Sequence, residues 1–146
     1  LTQGQQLTVS ATRPVTIVGD RDRITQLLLI LLDNAIRHTP ASGEITVNVE
    51  AAGTNAKLTV RDTGEGIAPE HLPHIFERFY RADRARDRAT GGTGLGLSIA
   101  QAIARSHGGD ISVQSIPGQG STFTVTVPLA PLQLVAATPQ TAAATA

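Results

Sequence analysis

Between Asp20 and Pro40 the apolar residues recur at the spacing of one helical face. They occupy positions 24, 27, 28, 31, 32, 35 and 36, and residues three or four apart lie on the same side of an α-helix. Asp20 is a suitable N-cap, and Thr39 should end the helix because the residue before a proline disfavours helical geometry. A long helix with one apolar face needs a second layer to cover that face, and the rest of the chain must supply it.

The second layer is predicted to be a sheet whose strands follow one another in pairs. Alternating apolar and polar residues indicate strands at 7–10, 15–18, 44–50, 57–61, 110–115 and 121–127. A second helix is expected over 95–106, ended by Gly108-Gly109, and a short helix near 69–75. We therefore predict an α/β (α+β) two-layer sandwich over residues 1–128, with about five mostly antiparallel strands packed on three helices. Residues 129–146 are expected to form a flexible tail.

Composition narrows the class of protein. Among 146 residues, twelve basic and twelve acidic side chains balance, so no overall charge favours nucleic acid or anionic lipid. The longest apolar run, 27–32, is far shorter than the roughly 20 residues of a membrane span. The absence of cysteine excludes disulfides and agrees with a reducing cytoplasm. Because the chain contains no methionine, we expect it to be a segment of a longer protein.

The stretch TGGTGLGLSIA, residues 90–100, places four glycines immediately before a predicted helix. The first turn of a helix has unpaired N–H groups and a partial positive charge, so bare backbone there can bind a phosphate. Tight packing is the alternative explanation. A Walker-type loop needs a lysine after the glycines, but Lys57 is the only lysine. A dinucleotide-binding fold needs its glycines after the first strand of the domain, and that pattern does not fit either.

Three further side chains are candidates for a binding site. Asp62 opens DTGEGI at the end of a predicted strand; it is either part of a plain turn or a partly buried carboxylate that accepts a hydrogen bond from an adenine amine. Asn34 lies at the edge of the apolar face of the long helix, as a core polar group or as a neutral oxygen ligand for magnesium. Arg37, one turn further on, can contact phosphates or pair with Asp33.

Four stretches, in this order, carry a family resemblance: LLDNAIRHTP, DTGEGI, IFERFYRAD and GGTGLGLSIA. They resemble the N box, first glycine box, F box and second glycine box of the ATP-binding catalytic domain of bacterial sensor histidine kinases. The resemblance covers about residues 18–128. It implies the Bergerat fold, which is shared with gyrase, Hsp90-type chaperones and mismatch-repair clamps.

The resemblance also implies roles for individual residues. Asn34 would bind Mg²⁺ and Asp62 would read adenine, while Arg37 and His38 match positions that contact phosphate or ribose, where the family more often has lysine and tyrosine. The other implied ATP-binding positions are Gly64, Gly66, Ile67, Tyr80, Arg81, Gly92, Thr93, Gly94, Leu95, Gly96, Leu97 and Thr122.

The segment between the glycine boxes matches the ATP lid of the family. Phe76, Phe79 and Tyr80 are expected to anchor one end of it, and Arg81 to stabilise the transferring phosphoryl group, which makes Asn34 and Arg81 the expected catalytic residues. The later arginines of the segment are read as solvated. His71 and His74 are read as exposed helix residues and not as metal ligands.

The function implied is transfer of the γ-phosphoryl group of Mg-ATP to a histidine on a separate dimerisation domain of the same parent protein. A response regulator is the expected further partner, and nucleic acid is not. The domain itself is expected to be cytoplasmic and outside the membrane, within a homodimeric, membrane-anchored parent. A nucleotide-binding regulatory module is an alternative. An ATP-hydrolysing clamp is another, although Ile30 stands where those relatives carry a water-activating glutamate.

Overall fold

The computed structural model describes residues 4–11, 13–80 and 95–131. These residues form β1 (Gln6–Ala11), α1 (Arg21–His38), β2 (Glu44–Ala52), β3 (Asn55–Asp62), α2 (Gly96–Ser106), β4 (Asp110–Ile116) and β5 (Gly120–Pro128). The short helix expected near 69–75 is a single 3-10 turn, Leu72–His74. The two-layer α/β architecture is confirmed, with two α-helices and this 3-10 turn in the described ranges.

Helix α1 begins and ends where its sequence predicts. The Asp20 carboxylate accepts hydrogen bonds from the amides of Asp22 and Arg23, at 3.0 and 3.2 Å, and so satisfies two of the unpaired donors of the first turn. Thr39 leaves the helix in an extended conformation, in front of Pro40. The buried face of the helix consists of Leu27, Leu31 and Ala35.

The five strands form one sheet in the order β1-β2-β3-β5-β4, in which only β1 and β2 run parallel. Because successive side chains of a strand point to opposite faces, alternate residues of β3 from Ala56 to Asp62 share the face that packs on the helices. Val60 lies opposite Phe123 of β5 on that face, and both are about 1% exposed. Asp62 is the last residue of the same face and stands at the edge of the core.

The segment 15–18 is not a strand, and this sequence prediction is wrong. Val15 and Ile17 are half-buried and pack against the core, while the carbonyl of Thr16 accepts a hydrogen bond from the amide of Ala130 at 2.9 Å. The alternation of apolar residues therefore reflects packing of a connecting segment, because periodicity alone does not distinguish such packing from a hydrogen-bonded ladder.

The structure continues a short way past the predicted domain end at 128. Leu129 packs against the core and its amide donates to the carbonyl of Thr54 at 3.0 Å. The rest of the expected tail, 132–146, lies outside the described residues. In the ranges that are described, no helix combines the length and apolar character needed to cross a membrane.

Candidate functional site

Asp62 is a buried carboxylate at the end of β3, with a relative exposure of 3%. Its Oδ1 accepts hydrogen bonds from the amides of Gly64, at 2.9 Å, and Ser121, at 3.3 Å. Burial raises the pKa of Asp62 above its ordinary value, although the two amides and the nearby His38 oppose the rise. Within the described chain both hydrogen bonds use Oδ1, which leaves Oδ2 to accept from a bound donor.

The turn after Asp62 is held between the end of α1 and the β4–β5 hairpin. A Cβ on Gly64 would lie 2.2 Å from the carbonyl oxygen of His38, and one on Gly66, whose φ is +75°, would lie 2.3 Å from the carbonyl oxygen of Ile116. The amide of Ile67 donates to Ser115 Oγ at 2.7 Å. Only glycine fits the two close approaches, so the packing of this turn requires the two glycines of DTGEGI.

The carboxyl-terminal half of α1 forms one wall beside this turn. Asn34 is half-buried there. The guanidinium Nε of Arg37 lies 3.0 Å from Asp33 Oδ2, so the helical ion pair that the spacing allowed is formed. His38 Nδ1 lies 2.9 Å from Glu65 Oε2. A cavity of about 370 Å³ adjoins them, lined by Arg37, His38, Thr39, Pro40, Thr63, Gly64, Glu65 and Gly118.

The start of α2 approaches the middle of α1. A Cβ on Gly96 would lie 3.4 Å from Ile30 Cγ2, which places the start of α2 beside Ile30, one helical turn before Asn34. Leu95 is the N-cap and its side chain provides no hydrogen bond to the amides of the first turn, which are donors that an anion can use. Leu97 packs partly against the core. The other expected phosphate and catalytic residues, Arg81, Gly92, Thr93 and Gly94, lie outside the described residues.

Of the three aromatic residues expected to anchor the lid segment, Phe76 packs edge-on against Phe123, with ring centroids 6.3 Å apart. Tyr80 stacks on His74 at 5.2 Å and its hydroxyl hydrogen-bonds His71. Phe79, in contrast, is 61% exposed and has a φ of +67°. The contacts to the core and to the histidines therefore come from Phe76 and Tyr80.

His74 is exposed, and its Nδ1 lies 2.8 Å from Oε2 of Glu77. His71 is half-buried beneath Tyr80 and is thus less exposed than the sequence predicted. In the described ranges, no three or more His, Cys, Asp or Glu side chains converge as a metal site would require.

The structure places Ser121, and not Thr122, beside Asp62. Ser121 pairs with Asp62 across the sheet, whereas Thr122 pairs with Arg61 and points to the opposite face. Ser115 links Ser121 to the turn. Its Oγ lies 2.8 Å from Ser121 Oγ and accepts a hydrogen bond from the amide of Ile67. Sequence reasoning missed both serines because the face on which each lies depends on the strand register, and a shift of one residue exchanges the faces.

Comparison with known proteins gives the same assignment as the motifs. The family described as histidine kinase-, DNA gyrase B- and HSP90-like ATPase matches residues 19–131. The sensor histidine kinase YkoH of Bacillus subtilis is 55% identical over 111 residues, which are 75% of this chain and 24% of YkoH. RppB of Synechocystis, also a sensor histidine kinase, is 45% identical over 117 residues. The chain thus spans about a quarter of the length of these curated relatives.

A solved mycobacterial sensor histidine kinase, MprB, superposes with a TM-score of 0.78 at 30% identity, covering 88% of this chain and 86% of that one. Full-length ShkA, solved in complex with AMPPNP, superposes with a TM-score of 0.75 at 32% identity, over 87% of this chain and 26% of that one. From the motifs, the fold and these likenesses together, the chain belongs to the histidine kinase-, DNA gyrase B- and HSP90-like ATPase family, with sensor histidine kinase catalytic domains as its relatives.

Proposed function

We propose that this domain binds Mg-ATP and that its parent protein transfers the γ-phosphoryl group to a histidine on a separate dimerisation domain. The buried Asp62 is the observation that carries the proposal. Oδ1 of this carboxylate accepts hydrogen bonds from two main-chain amides. Oδ2 can therefore accept from a donor such as the exocyclic amine of adenine. The complex of ShkA with AMPPNP, an ATP analogue, supports a nucleotide as the ligand.

The proposed adenine pocket has the Asp62 turn as its base and the end of α1 as one wall. Gly64, Gly66 and Ile67 would shape the space for the base, and Ser121 and Ser115 would hold the turn in place through the contacts given above. Thr122 is no part of this proposal, because its side chain lies on the other face of the sheet.

The phosphates are proposed to extend from this pocket towards the start of α2. Among the described residues no side chain caps its first turn, and its partial positive charge favours an anion. Leu95, Gly96 and Leu97 would line that end, with Gly92, Thr93 and Gly94 before them. Arg37 and His38 would contact phosphate or ribose from α1, and Tyr80 and Arg81 would approach from the lid segment.

Asn34 is suited to be one ligand of the proposed magnesium ion, and other groups would have to supply the remaining ligands. A half-buried amide oxygen is a hard neutral ligand, and Mg²⁺ takes only one or two protein ligands beside phosphate oxygens and water. Magnesium bound there would neutralise charge on the phosphates. The chain's own residues would position the nucleotide, and Arg81 would stabilise the charge that develops on the transferred group.

A separate dimerisation domain in the parent is supported by relatives that are sensor histidine kinases about four times as long as the matched segment. A response regulator and a homodimeric, membrane-anchored parent complete the same proposal. An ATP-hydrolysing clamp is less favoured. The side chain of Ile30 packs at the start of α2 and has no group that could activate a water.

The test uses the domain joined to the upstream helices of its parent and incubated with γ-labelled ATP. We expect acid-labile phosphohistidine, and none when Asn34 is replaced by alanine. Nucleotide binding without phosphohistidine would favour a regulatory module. Steady release of inorganic phosphate that is lost in Asn34→Ala, with no phosphohistidine formed, would favour a clamp and contradict the kinase assignment.

A further inference from the structure

The carboxyl end of α1 lacks a main-chain donor that most helices have. The carbonyl of Ile36 would accept from the amide four residues later, but that residue is Pro40, which has no N–H. Gln5 supplies a donor instead. Its Nε2 lies 3.1 Å from the carbonyl oxygen of Ile36 and 2.6 Å from that of Thr39. The side chain that precedes β1 therefore caps the end of α1.

The main chain on both sides of Gln5 is packed against the connection between α1 and β2. Gln5 itself is 8% exposed. The amide of Gln6 donates to the carbonyl of Gly43 at 3.0 Å. A Cβ on Gly4, whose φ is +77°, would lie 3.3 Å from the amide nitrogen of Ser42. The cap is thus presented to the helix from a fixed position.

A second attachment of the same helix end is the DTGEGI turn. The carbonyl of His38 accepts a hydrogen bond from the amide of Glu65 at 3.3 Å, and Gly64 approaches that carbonyl closely. Arg37 and His38 line the cavity beside this turn. The position of their side chains relative to Asp62 therefore depends on how the last turn of α1 is held.

Loss of the Gln5 amide would take a donor from two main-chain carbonyls at once, and the contact with Thr39 is buried. A carbonyl that loses its donor in buried surroundings favours a conformation in which it reaches water. The last turn of α1 would then shift, and Arg37 and His38 would move with it. Asp62 belongs to β3 and would stay in place.

We propose that Gln5 is a positioning residue that fixes the last turn of α1, so that Arg37 and His38 meet the phosphates and ribose of a bound nucleotide. This inference rests on the proposed function, which assigns those contacts to the two residues. Gln5 does not touch the nucleotide in this proposal. Its effect should therefore be larger on ATP than on adenosine, which keeps the contact of adenine with Asp62.

The test measures the dissociation constants of ATP and adenosine by calorimetry for the full 146-residue chain. Gln5→Glu and Gln5→Met both lack the amide donor. The first keeps an oxygen acceptor and adds a charge, whereas the second is neutral. We expect each variant to weaken ATP about three- to tenfold and to leave adenosine within about twofold. Agreement between the two separates loss of the donor from the effect of the charge.

Asp20→Ala is the matched control, because Asp20 caps the other end of the same helix. It should lower the free energy of unfolding, as loss of an N-cap does, and leave ATP affinity unchanged. Urea denaturation accompanies each titration. If Gln5→Met does not fold, Gln5→Asn takes its place, since its amide is too short to reach both carbonyls. Gln5 variants that lose stability but bind ATP as the wild type does would overturn the positioning role.

A second readout uses a background in which Arg37 is replaced by glutamine and His38 by asparagine. There the Gln5 variants should have little further effect on ATP affinity, because the side chains that Gln5 positions are gone. An undiminished effect in that background, or an equal loss of ATP and adenosine affinity, would overturn the inference. Either result leaves the proposed function intact if Asp62→Asn still weakens ATP binding. Failure of the wild-type chain to bind ATP would overturn both together.

Discussion

Asp62 and Ser121 lie opposite each other in adjacent antiparallel strands, and the amide of Ser121 donates a hydrogen bond to Asp62 Oδ1 at 3.3 Å. The contact ties the proposed adenine pocket to β5 and, through the two serine hydroxyls, to β4. A buried carboxylate is costly unless its hydrogen bonds are satisfied. Its presence at the end of an otherwise apolar row is best explained by a ligand that uses the second oxygen.

Asp62→Asn should weaken ATP binding by at least about tenfold, since the amide offers a donor where the adenine amine needs an acceptor. The same change should stabilise the free domain at pH 7. A carboxyl whose pKa is raised on folding binds protons more readily when folded, so its ionised form opposes folding at neutral pH. Calorimetry and urea denaturation measure the two effects.

The gain in stability should shrink as the pH falls through the raised pKa of Asp62, where the wild-type carboxyl becomes protonated. Asp110→Asn is the control, because the amide of Ile111, and also Arg105, lower the pKa of this exposed carboxyl. That variant should lose stability at neutral pH and bind ATP normally. Unchanged ATP affinity in Asp62→Asn would remove the adenine assignment.

Ser121→Val should destabilise the domain by about 1–3 kcal/mol and weaken nucleotide binding, because it removes the hydroxyl partner of Ser115 and brings branched methyl groups to the Asp62 face. Thr122→Val, one residue later, should change neither property by much, since Thr122 points to the other face. Paired urea denaturation and ATP titration compare the two variants. The reverse order of effects would contradict the pairing of Ser121 with Asp62 and of Thr122 with Arg61.

The contrast between these neighbours shows where sequence reasoning reaches its limit. The alternation in KLTVRD and the glycines of DTGEGI predict a polar turn after a strand, with Asp62 at the strand end. Which face carries Asp62, and whether Ser121 or Thr122 shares it, depends on pairing between segments about 60 residues apart. No local pattern contains that information. An error of one residue in the strand register moves a side chain to the opposite face of the sheet.

The conformation of segment 15–18 and the partner of Arg37 could not be predicted from the sequence alone either. Val15 and Ile17 alternate as strand residues do, but they pack in a connecting segment that leads into α1. For Arg37 the sequence allowed either an ion pair with Asp33 or a phosphate contact. The pair is formed in this structure, and exchange of Asp33 for a phosphate oxygen remains open to a bound nucleotide because both side chains reach solvent.

Gly64→Ala should be strongly destabilising, because the added Cβ would lie 2.2 Å from a main-chain oxygen at the end of α1 and neither backbone can move alone. Overpacking of this kind costs about 1–3 kcal/mol. The variant should also lose ATP affinity, since separating α1 from the turn displaces His38 and Asp62 relative to each other. Thermal denaturation and ATP titration provide the measurements.

Gly53→Ala is the matched control for Gly64→Ala. Gly53 has a φ of +64° but nothing within 4 Å of its Cβ position, and it lies at the β2–β3 turn, away from Asp62. Its cost should be the left-handed backbone alone, about 1–2 kcal/mol, with ATP affinity unchanged. A smaller loss in Gly64→Ala than in Gly53→Ala would show that the α1 contact is looser than described.

Phe76→Ala should cost about 2–3 kcal/mol, less than a fully buried phenylalanine, because Phe76 is half-buried and packs edge-on against Phe123 in the core. Phe79→Gly should stay within about 1 kcal/mol of the wild type. Phe79 is mostly exposed, and glycine relieves its left-handed φ of +67° while adding freedom to the unfolded chain. Urea denaturation of both variants tests whether Phe76 contributes more than Phe79 to the stability of the domain. If Phe79→Gly were the more damaging change, the start of the lid segment would be anchored by Phe79 and the role given to Phe76 would be wrong.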